Sequence, residues 1–324
     1  MWTRLGAFLL CALCAAAPVR AQDPVASYPS KPIRVLIGYP AGSGPDLITR
    51  WVGERLLGKW GQPFLVENRP GASGHIATDI VAKAAPDGYT LLVVPPAFAT
   101  TPHLFAKLPF DPDAMVPVTV MASQANVLMV HPGRLPNVLT LQDLIDYAKA
   151  NPDKLLFGSS GNGGSHHLSA ELLKIAAGGL RIGHVPYKGV AVLTGFLSGD
   201  FDFAFFSLGG ALPYIKAGKL RPIAVGGTTR HASLPSVPTL GETFPGMVSA
   251  TWFALIAPAQ TAPAQVTRIN FIVVEALRHP ETQKHLASIF ADLIANSPAD
   301  AAAFIREDKN RWGEVIRTAG VKPE

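Results

Sequence analysis

The sequence contains little cysteine and little charge. Only two of its 324 residues are cysteines, Cys11 and Cys14, and both lie in an N-terminal segment that we expect to be removed. The mature chain would then have no thiol, no disulfide and no cysteine ligand for a metal. Charged residues make up 16% of the chain and apolar residues 48%. This composition excludes a disordered protein and predicts a large buried core, for which two lobes of about 150 residues each are a suitable size.

A membrane-spanning run is also missing. The apolar run at residues 5–17 follows Arg4 and is well under the ~20 residues that a membrane span needs. Small or β-branched residues follow at the positions that a signal peptidase reads. The pattern predicts a signal peptide over residues 1–21, with Gln22 as the first mature residue and a periplasmic location. An uncleaved membrane anchor is the alternative.

Basic and acidic runs are absent too. The formal net charge is +5, and Arg4 and Arg20 contribute to it from the segment that we expect to be lost. A weak excess of positive charge, without a basic run or interleaved aromatic residues, argues against nucleic-acid binding. The remaining positive charge slightly favours anionic solutes.

The sequence also lacks the common catalytic signatures. There is no Gly-x-Ser-x-Gly elbow, no His-Glu-x-x-His pair and no cysteine nucleophile in the mature chain. We therefore predict a binding protein without catalytic activity, cofactor or metal. The alternatives are an α/β enzyme acting on a small carboxylate and a ligand-sensing protein that serves a signalling partner.

Short apolar segments alternate with segments of helical periodicity from residue 33 onwards. Residues 33–37, 64–66 and 91–94 have the strand pattern, with helical spacing between them. This βαβ order predicts an α/β fold with mostly parallel sheets covered by helices on both faces. The pattern restarts further along the chain and predicts strands at residues 127–130, 155–157, 184–185, 201–206, 222–225 and 252–256.

The domain organisation follows from where this pattern restarts. We predict that residues 22–125 and 250–324 form one lobe, and that residues 126–249 form a second lobe inserted into it. Two crossover strands, near residues 123–127 and 248–251, would connect the lobes. We expect a monomer whose lobes close by hinge motion around a ligand.

Two loops rich in glycine and small residues follow predicted strands and precede predicted helices. The first contains Tyr39, Pro40, Ala41, Gly42, Ser43, Gly44, Pro45 and Asp46. Its backbone N–H groups at a helix start suit a carboxylate. Asp46 would repel that anion, so we assign it to capping or support. A plain strand-to-helix turn is the alternative.

The second loop offers neutral hydrogen-bond donors at a helix start. It contains Gly158, Ser159, Ser160, Gly161, Asn162, Gly163, Gly164, Ser165, His166 and His167. It matches neither a phosphate-binding loop ending in Lys-Ser/Thr nor a dinucleotide fingerprint, which leaves recognition of a small anion. Adjacent histidines on a helix point in different directions, so a capping or packing role is favoured over a shared metal for His166 and His167.

A third predicted contact segment ends another strand. Tyr187 offers a ring face and a hydroxyl, Lys188 a possible counter-ion, and Gly189 a close backbone approach. Phe98, together with the phenylalanines just before Ser207, would supply apolar surface nearby.

At these loops the sequence resembles the solute-binding proteins of tripartite tricarboxylate transporters, the Bug-type periplasmic binders. The matching blocks, in chain order, are YPSKPIR (28–34), VENRPGA (66–72), AAPDGYT (84–90), SSGNG (159–163), HVPYKG (184–189) and IKAGKLR (215–221). The resemblance covers residues 28–324. It implies a two-lobed Venus-flytrap fold that binds di- or tricarboxylic acids, amino acids or aromatic acids and delivers them to integral-membrane transporter subunits.

The resemblance also implies roles for the loops. Residues 41–46 would hold one carboxylate through backbone N–H groups, and residues 159–165 and 187–189 would complete the pocket from the other lobe. Two positions depart from the family. Pro45 stands where relatives commonly have threonine, and Ser207 stands where they often have an aspartate that suits a ligand ammonium. We therefore predict a mono- or dicarboxylate without an amino group.

Overall fold

The computed structural model describes residues 25, 27–187 and 191–321. The predicted signal peptide and the predicted first mature residue, Gln22, lie outside them. The first part of the described chain contains β1 (Ile33–Ile37), α1 (Gly44–Trp60), β2 (Phe64–Asn68), α2 (His75–Ala82), β3 (Thr90–Val94) and α3 (Ala97–Leu104).

Two further stretches complete the order of elements. The middle of the chain contains β4 (Val116–Val130), α4 (Leu141–Ala150), β5 (Leu156–Ser159), α5 (Ser165–Ala176), β6 (Gly183–Pro186), α6 (Ala191–Ser198), β7 (Phe203–Ser207), α7 (Leu208–Lys216), β8 (Arg221–Val225) and α8 (Leu240–Thr243). The last part contains β9 (Ala250–Ala257), α9 (Pro263–Leu277), α10 (Pro280–Ser288), β10 (Asp292–Leu293) and α11 (Pro298–Ala319). Among these described helices none is both long and apolar enough to cross a membrane.

Local sequence signals explain several of the element boundaries. The side chain of Thr140 accepts a hydrogen bond from the backbone of Asp143, and the Asp143 carboxylate accepts one from the backbone of Thr140, which closes a capping box at the start of α4. Helix α1 ends at Gly61, whose φ of 68° is left-handed, a conformation that glycine adopts without a steric penalty. Strand β1 is almost wholly buried because its residues are nearly all apolar.

The strands form one mixed sheet in the order β2-β1-β3-β9-β4-β7-β5-β6, and β8 and β10 also pair with β4. The pairs β1–β2, β1–β3, β5–β6 and β5–β7 are parallel, as the βαβ pattern predicts. Strands β4 and β9 run antiparallel to their neighbours. The α/β fold class is confirmed, but the sheet is mixed rather than mostly parallel because these two strands return through its centre.

Strand β4 links the two groups of strands. Its residues from Val116 to Ala125 pair with β9, whereas its residues from Asn126 to Val130 pair with β7 and β8. The change of partner falls where the sequence places the first lobe boundary. The division into two lobes that move as units stays a prediction.

The core is built on both faces of the sheet. One pair of apolar clusters surrounds β1, β3 and β9, and another surrounds β5, β7 and β8. A smaller cluster joins α3, α5 and α11 through Leu104, Leu168 and Trp312. The indole N–H of Trp252 in β9 donates to Asp308 of α11 (2.8 Å). Helix α11 is therefore fixed to both groups of elements, and the end of α3 lies close to the first turns of α5.

Candidate ligand-binding site

A cavity of about 230 Å³ lies where several helices begin. Its walls come from the starts of α1, α3 and α5, from the residue before α7, and from β4 and β9. The lining residues are Tyr39, Gly44, Pro45, Pro95, Pro96, Ala97, Gln124, Ser160, Gly164, Ser165, His166, Ser207, Thr251 and Phe253. The cavity is smaller than the pockets of about 300–1,000 Å³ that hold drug-sized ligands. It therefore suits a small solute.

Helix starts give this cavity hydrogen-bond donors. Helix α1 begins at Gly44 and α5 at Ser165. Within the described structure their N-cap residues, Ser43 and Gly164, form no side-chain capping hydrogen bond, and neither does Ser207 before α7. The N–H groups of the first helical turn have no partner inside a helix. Apart from Pro45 of α1, which has no N–H, these residues can donate to an anion in the cavity.

The charge distribution also favours an anion. No aspartate, glutamate, lysine or arginine is among the described residues that line the cavity. Each helix start carries a partial positive charge. A carboxylate would be stabilised there without a cationic side chain, whereas an ammonium group would have no carboxylate partner.

The first predicted loop contributes Tyr39 and Gly44 to the lining. Three other predicted contact residues of this loop lie outside the lining: Ala41, Gly42 and Ser43. Asp46 is buried and accepts hydrogen bonds from the Gly42 N–H (2.9 Å) and from Arg50 (3.0 Å). Burial alone would raise the pKa of Asp46, but these hydrogen bonds hold it below its ordinary value. Asp46 therefore supports the loop and stays ionised.

The second predicted loop divides into two sets. The predicted residues that line the cavity are Ser160, Ser165 and His166, and those that do not are Ser159, Asn162 and Gly163. Ser159 is buried with its hydroxyl 2.7 Å from Nε2 of His184. The N–H of Gly163 donates to Nδ1 of His167 (2.9 Å). These two contacts with buried or partly buried histidines fix the loop in place.

His166 both packs and lines the cavity. Its ring centroid lies 5.4 Å from that of Phe206. Burial lowers the pKa of His166 to about 4, so its imidazole is neutral near pH 7. It contributes polar contact surface without charge.

The third predicted segment lies apart from the cavity where the structure describes it. The hydroxyl of Tyr187 donates to Asp200 (2.8 Å), and its ring packs 5.6 Å from that of Phe201. Lys188 and Gly189 lie outside the described residues. Phe98 lines a separate small cavity of about 10 Å³ that also borders Tyr39.

The sequence did not predict the cavity walls that other elements of the fold supply. These residues are Pro95, Pro96, Ala97, Gln124, Thr251 and Phe253. The hydroxyls of Ser165 and Thr251 lie 2.8 Å apart and join α5 to β9. The Pro95-Pro96 pair before an apolar segment was the one local signal for a helix start there.

The structure offers little support for catalysis. The Ser159–His184 pair resembles a nucleophile and a base, but Ser159 is outside the cavity lining and its hydroxyl donates to the Gly161 carbonyl (2.9 Å). Among residues 25, 27–187 and 191–321, no three side chains that ligate metals are grouped closely enough to hold an ion.

Three histidines, of which His167 is buried and His166 and His184 are partly buried, predict a pH-dependent stability. Burial lowers the pKa of His166 and His184 to about 4 and that of His167 to about 3, against about 6.5 in an unfolded chain. The unfolded state therefore binds more protons as the pH falls from about 7 towards 4. Stability should fall over that range by up to about 1.4 kcal/mol per pH unit for each histidine.

Thermal unfolding between pH 8 and pH 5 measures this effect. Carboxylates with lowered pKa values, such as Glu67 (about 2), change the free energy of unfolding mainly below about pH 4.5, where the unfolded chain begins to protonate them. The histidines should thus dominate the pH dependence of stability between pH 5 and pH 7. The variant His184→Gln should show a shallower slope. Equal slopes in the two proteins would contradict the prediction for His184.

The sequence profile of the tripartite tricarboxylate transporter family receptor matches residues 48–321. This match covers most of the chain. The chain belongs to this family. The resemblance noted in the sequence is confirmed.

Solved structures of similar proteins agree with the fold. Rpa4515 from R. palustris with adipate has a TM-score of 0.81 and 34% identity, and the match covers 92% of this chain and 100% of that one. The periplasmic binding protein BugD has a TM-score of 0.78 and 27% identity, with coverages of 92% and 100%. MatC from Rhodopseudomonas palustris with bound malate has a TM-score of 0.77 and 27% identity, with coverages of 89% and 100%. The periplasmic binding protein fold is confirmed.

Proposed function

We propose that this chain is a periplasmic receptor that binds a small carboxylate without an amino group and delivers it to the membrane subunits of a tripartite tricarboxylate transporter. The observation that carries the proposal is the small cavity at the starts of α1, α3, α5 and α7, whose described lining has no charged side chain. Helix N-termini favour carboxylates there. The similar proteins whose structures contain adipate and bound malate support the same ligand class.

We expect a ligand without an amino group because two aspartates that could pair with an ammonium, Asp46 and Asp202, already have partners. Asp46 is already paired with Arg50. Asp202 pairs with Arg134 (2.7 Å) and accepts the N–H of Leu156 (2.7 Å). Neither is in the cavity lining. A ligand ammonium would be buried without a counter-charge, which costs several kcal/mol.

A panel of acids tests the proposal. Succinate, glutarate and adipate would be compared with their neutral diamides in thermal unfolding and calorimetry. At least one acid should stabilise the protein by about 2.7 kcal/mol at 100 times its Kd, and its diamide should not. Stabilisation by the diamides alone would contradict the proposal.

The same samples distinguish a receptor from an enzyme. NMR spectra of the bound acid after prolonged incubation should show the acid unchanged. Its conversion to a product would favour an α/β enzyme that uses the same cavity.

A further inference from the structure

Two stacked histidines lie beneath the loop that leads into α5. The rings of His167 and His184 are 4.0 Å apart between centroids and inclined by 11°. Phe157 of β5 stacks against His184 at 4.6 Å and against His167 at 5.9 Å. His167 is 3% exposed. Neither ring lines the ligand cavity, so direct ligand contact does not explain this pair.

Each ring holds one end of the loop. Nδ1 of His167 accepts the N–H of Gly163 (2.9 Å), so the ring proton lies on Nε2, which faces Glu171 at 3.8 Å. The Ser159 hydroxyl donates to the Gly161 carbonyl (2.9 Å). It therefore accepts from Nε2 of His184 at 2.7 Å. Both imidazoles are neutral, with the proton on Nε2.

The surroundings keep both rings neutral. Burial is the main cause that lowers their pKa values, and the Lys174 ammonium lowers both further. That ammonium is itself paired with Glu171 (2.8 Å). Near pH 7 the Nδ1 lone pair of His167 stays available to Gly163.

These contacts orient consecutive peptide units. A peptide unit is planar and trans, so a Gly161 carbonyl held towards Ser159 turns the N–H of Asn162 to the opposite side. The Gly163 carbonyl accepts the hydroxyl of Thr100 (3.1 Å), which in the same way sets the direction of the Gly164 N–H. Gly161 and Gly163 have φ values of 138° and 70°, a backbone region that other residues rarely adopt.

We propose that His167, supported by His184, is a positioning residue that sets the backbone donors of the α5 start for the ligand carboxylate. The inference rests on the proposed function, since it concerns how that carboxylate is held. The contact acts through Gly163, which directly precedes the lining residues Gly164 and Ser165. Loss of the Nδ1 acceptor leaves a buried N–H without a partner and frees the loop.

Matched substitutions test this role. In His167→Asn the side-chain oxygen takes the place of Nδ1, whereas His167→Leu removes the acceptor and keeps apolar bulk. We expect His167→Leu to raise the Kd of the acid that binds best among succinate, glutarate and adipate by about 10-fold or more. His167→Asn should stay within about 3-fold of the unaltered protein, because it restores the acceptor.

Amide hydrogen exchange at Gly163 gives a readout that needs no ligand. Exchange should be slow in the unaltered protein and in His167→Asn, and at least about 10-fold faster in His167→Leu. If His167→Leu does not fold, the pair His184→Gln and His184→Leu tests the other end of the loop at the Ser159 contact. Gln should preserve the donor and the affinity, and Leu should lose both.

Three results would overturn the inference. They are unchanged affinity in His167→Leu, equal losses in the leucine and asparagine variants, and fast exchange of the Gly163 amide in the unaltered protein. Failure of every acid to bind the unaltered protein would instead contradict the proposed function. The exchange rates would then still decide whether His167 fixes the loop.

Discussion

Replacement of Ala97 by aspartate should abolish carboxylate binding. Ala97 is the first residue of α3 and lines the cavity. Two like charges about 5–6 Å apart in a medium of effective dielectric constant 20 repel each other by about 3 kcal/mol, which is about 100-fold in Kd.

The fold should tolerate this change. An acidic residue in the first turn of a helix interacts favourably with the helix dipole, so the melting temperature of Ala97→Asp without ligand should not fall. Ala97→Asn is the matched control, with nearly the same shape and no charge. Calorimetry should show a much smaller loss for Asn than for Asp. Equal losses would mean that space rather than charge determines binding.

Glutamate should bind at least about 100-fold more weakly than glutarate. The two ligands share a chain length and both carboxylates, and differ in the ammonium group. None of the described lining residues carries a carboxylate, so the ammonium would be buried unpaired at a cost of several kcal/mol. Tighter binding of glutamate than of glutarate would contradict this prediction.

The variant Ser207→Asp should reverse this preference. Ser207 lines the cavity and is the N-cap of α7, where aspartate is a favourable residue. Its carboxylate would pair with a ligand ammonium and repel an extra carboxylate. Ser207→Asn controls for shape. If Ser207→Asp keeps the preference for glutarate, the ligand's amino position does not face α7.

Much of the fold could be predicted because buried strands have continuous apolar runs. Strands β1, β3, β5 and β9 were found in this way. The first half of β4 was missed, since Pro117 and the polar residues near Gln124 interrupt the run. Helix α7 contains Gly209, Gly210 and Pro213, which are poor helix formers. Its formation depends on packing against β4 and β7 rather than on local preference.

The site was predictable only where a local signal marks it. Glycine and serine after β1 and β5 indicated the starts of α1 and α5, and both starts line the cavity. Thr251 and Phe253 reach it because β9 returns beside β4, which no local pattern encodes. The inward direction of Ser159 depends on His184, 25 residues further along the chain.

The most direct test of carboxylate binding at the helix starts is a crystal structure with the best-binding acid from the panel. One ligand carboxylate should lie within about 3 Å of backbone N–H groups in the first turns of α1 and α5, beside Gly44, Ser165 and His166. A carboxylate held instead by lysine or arginine side chains outside this cavity would contradict the proposed site.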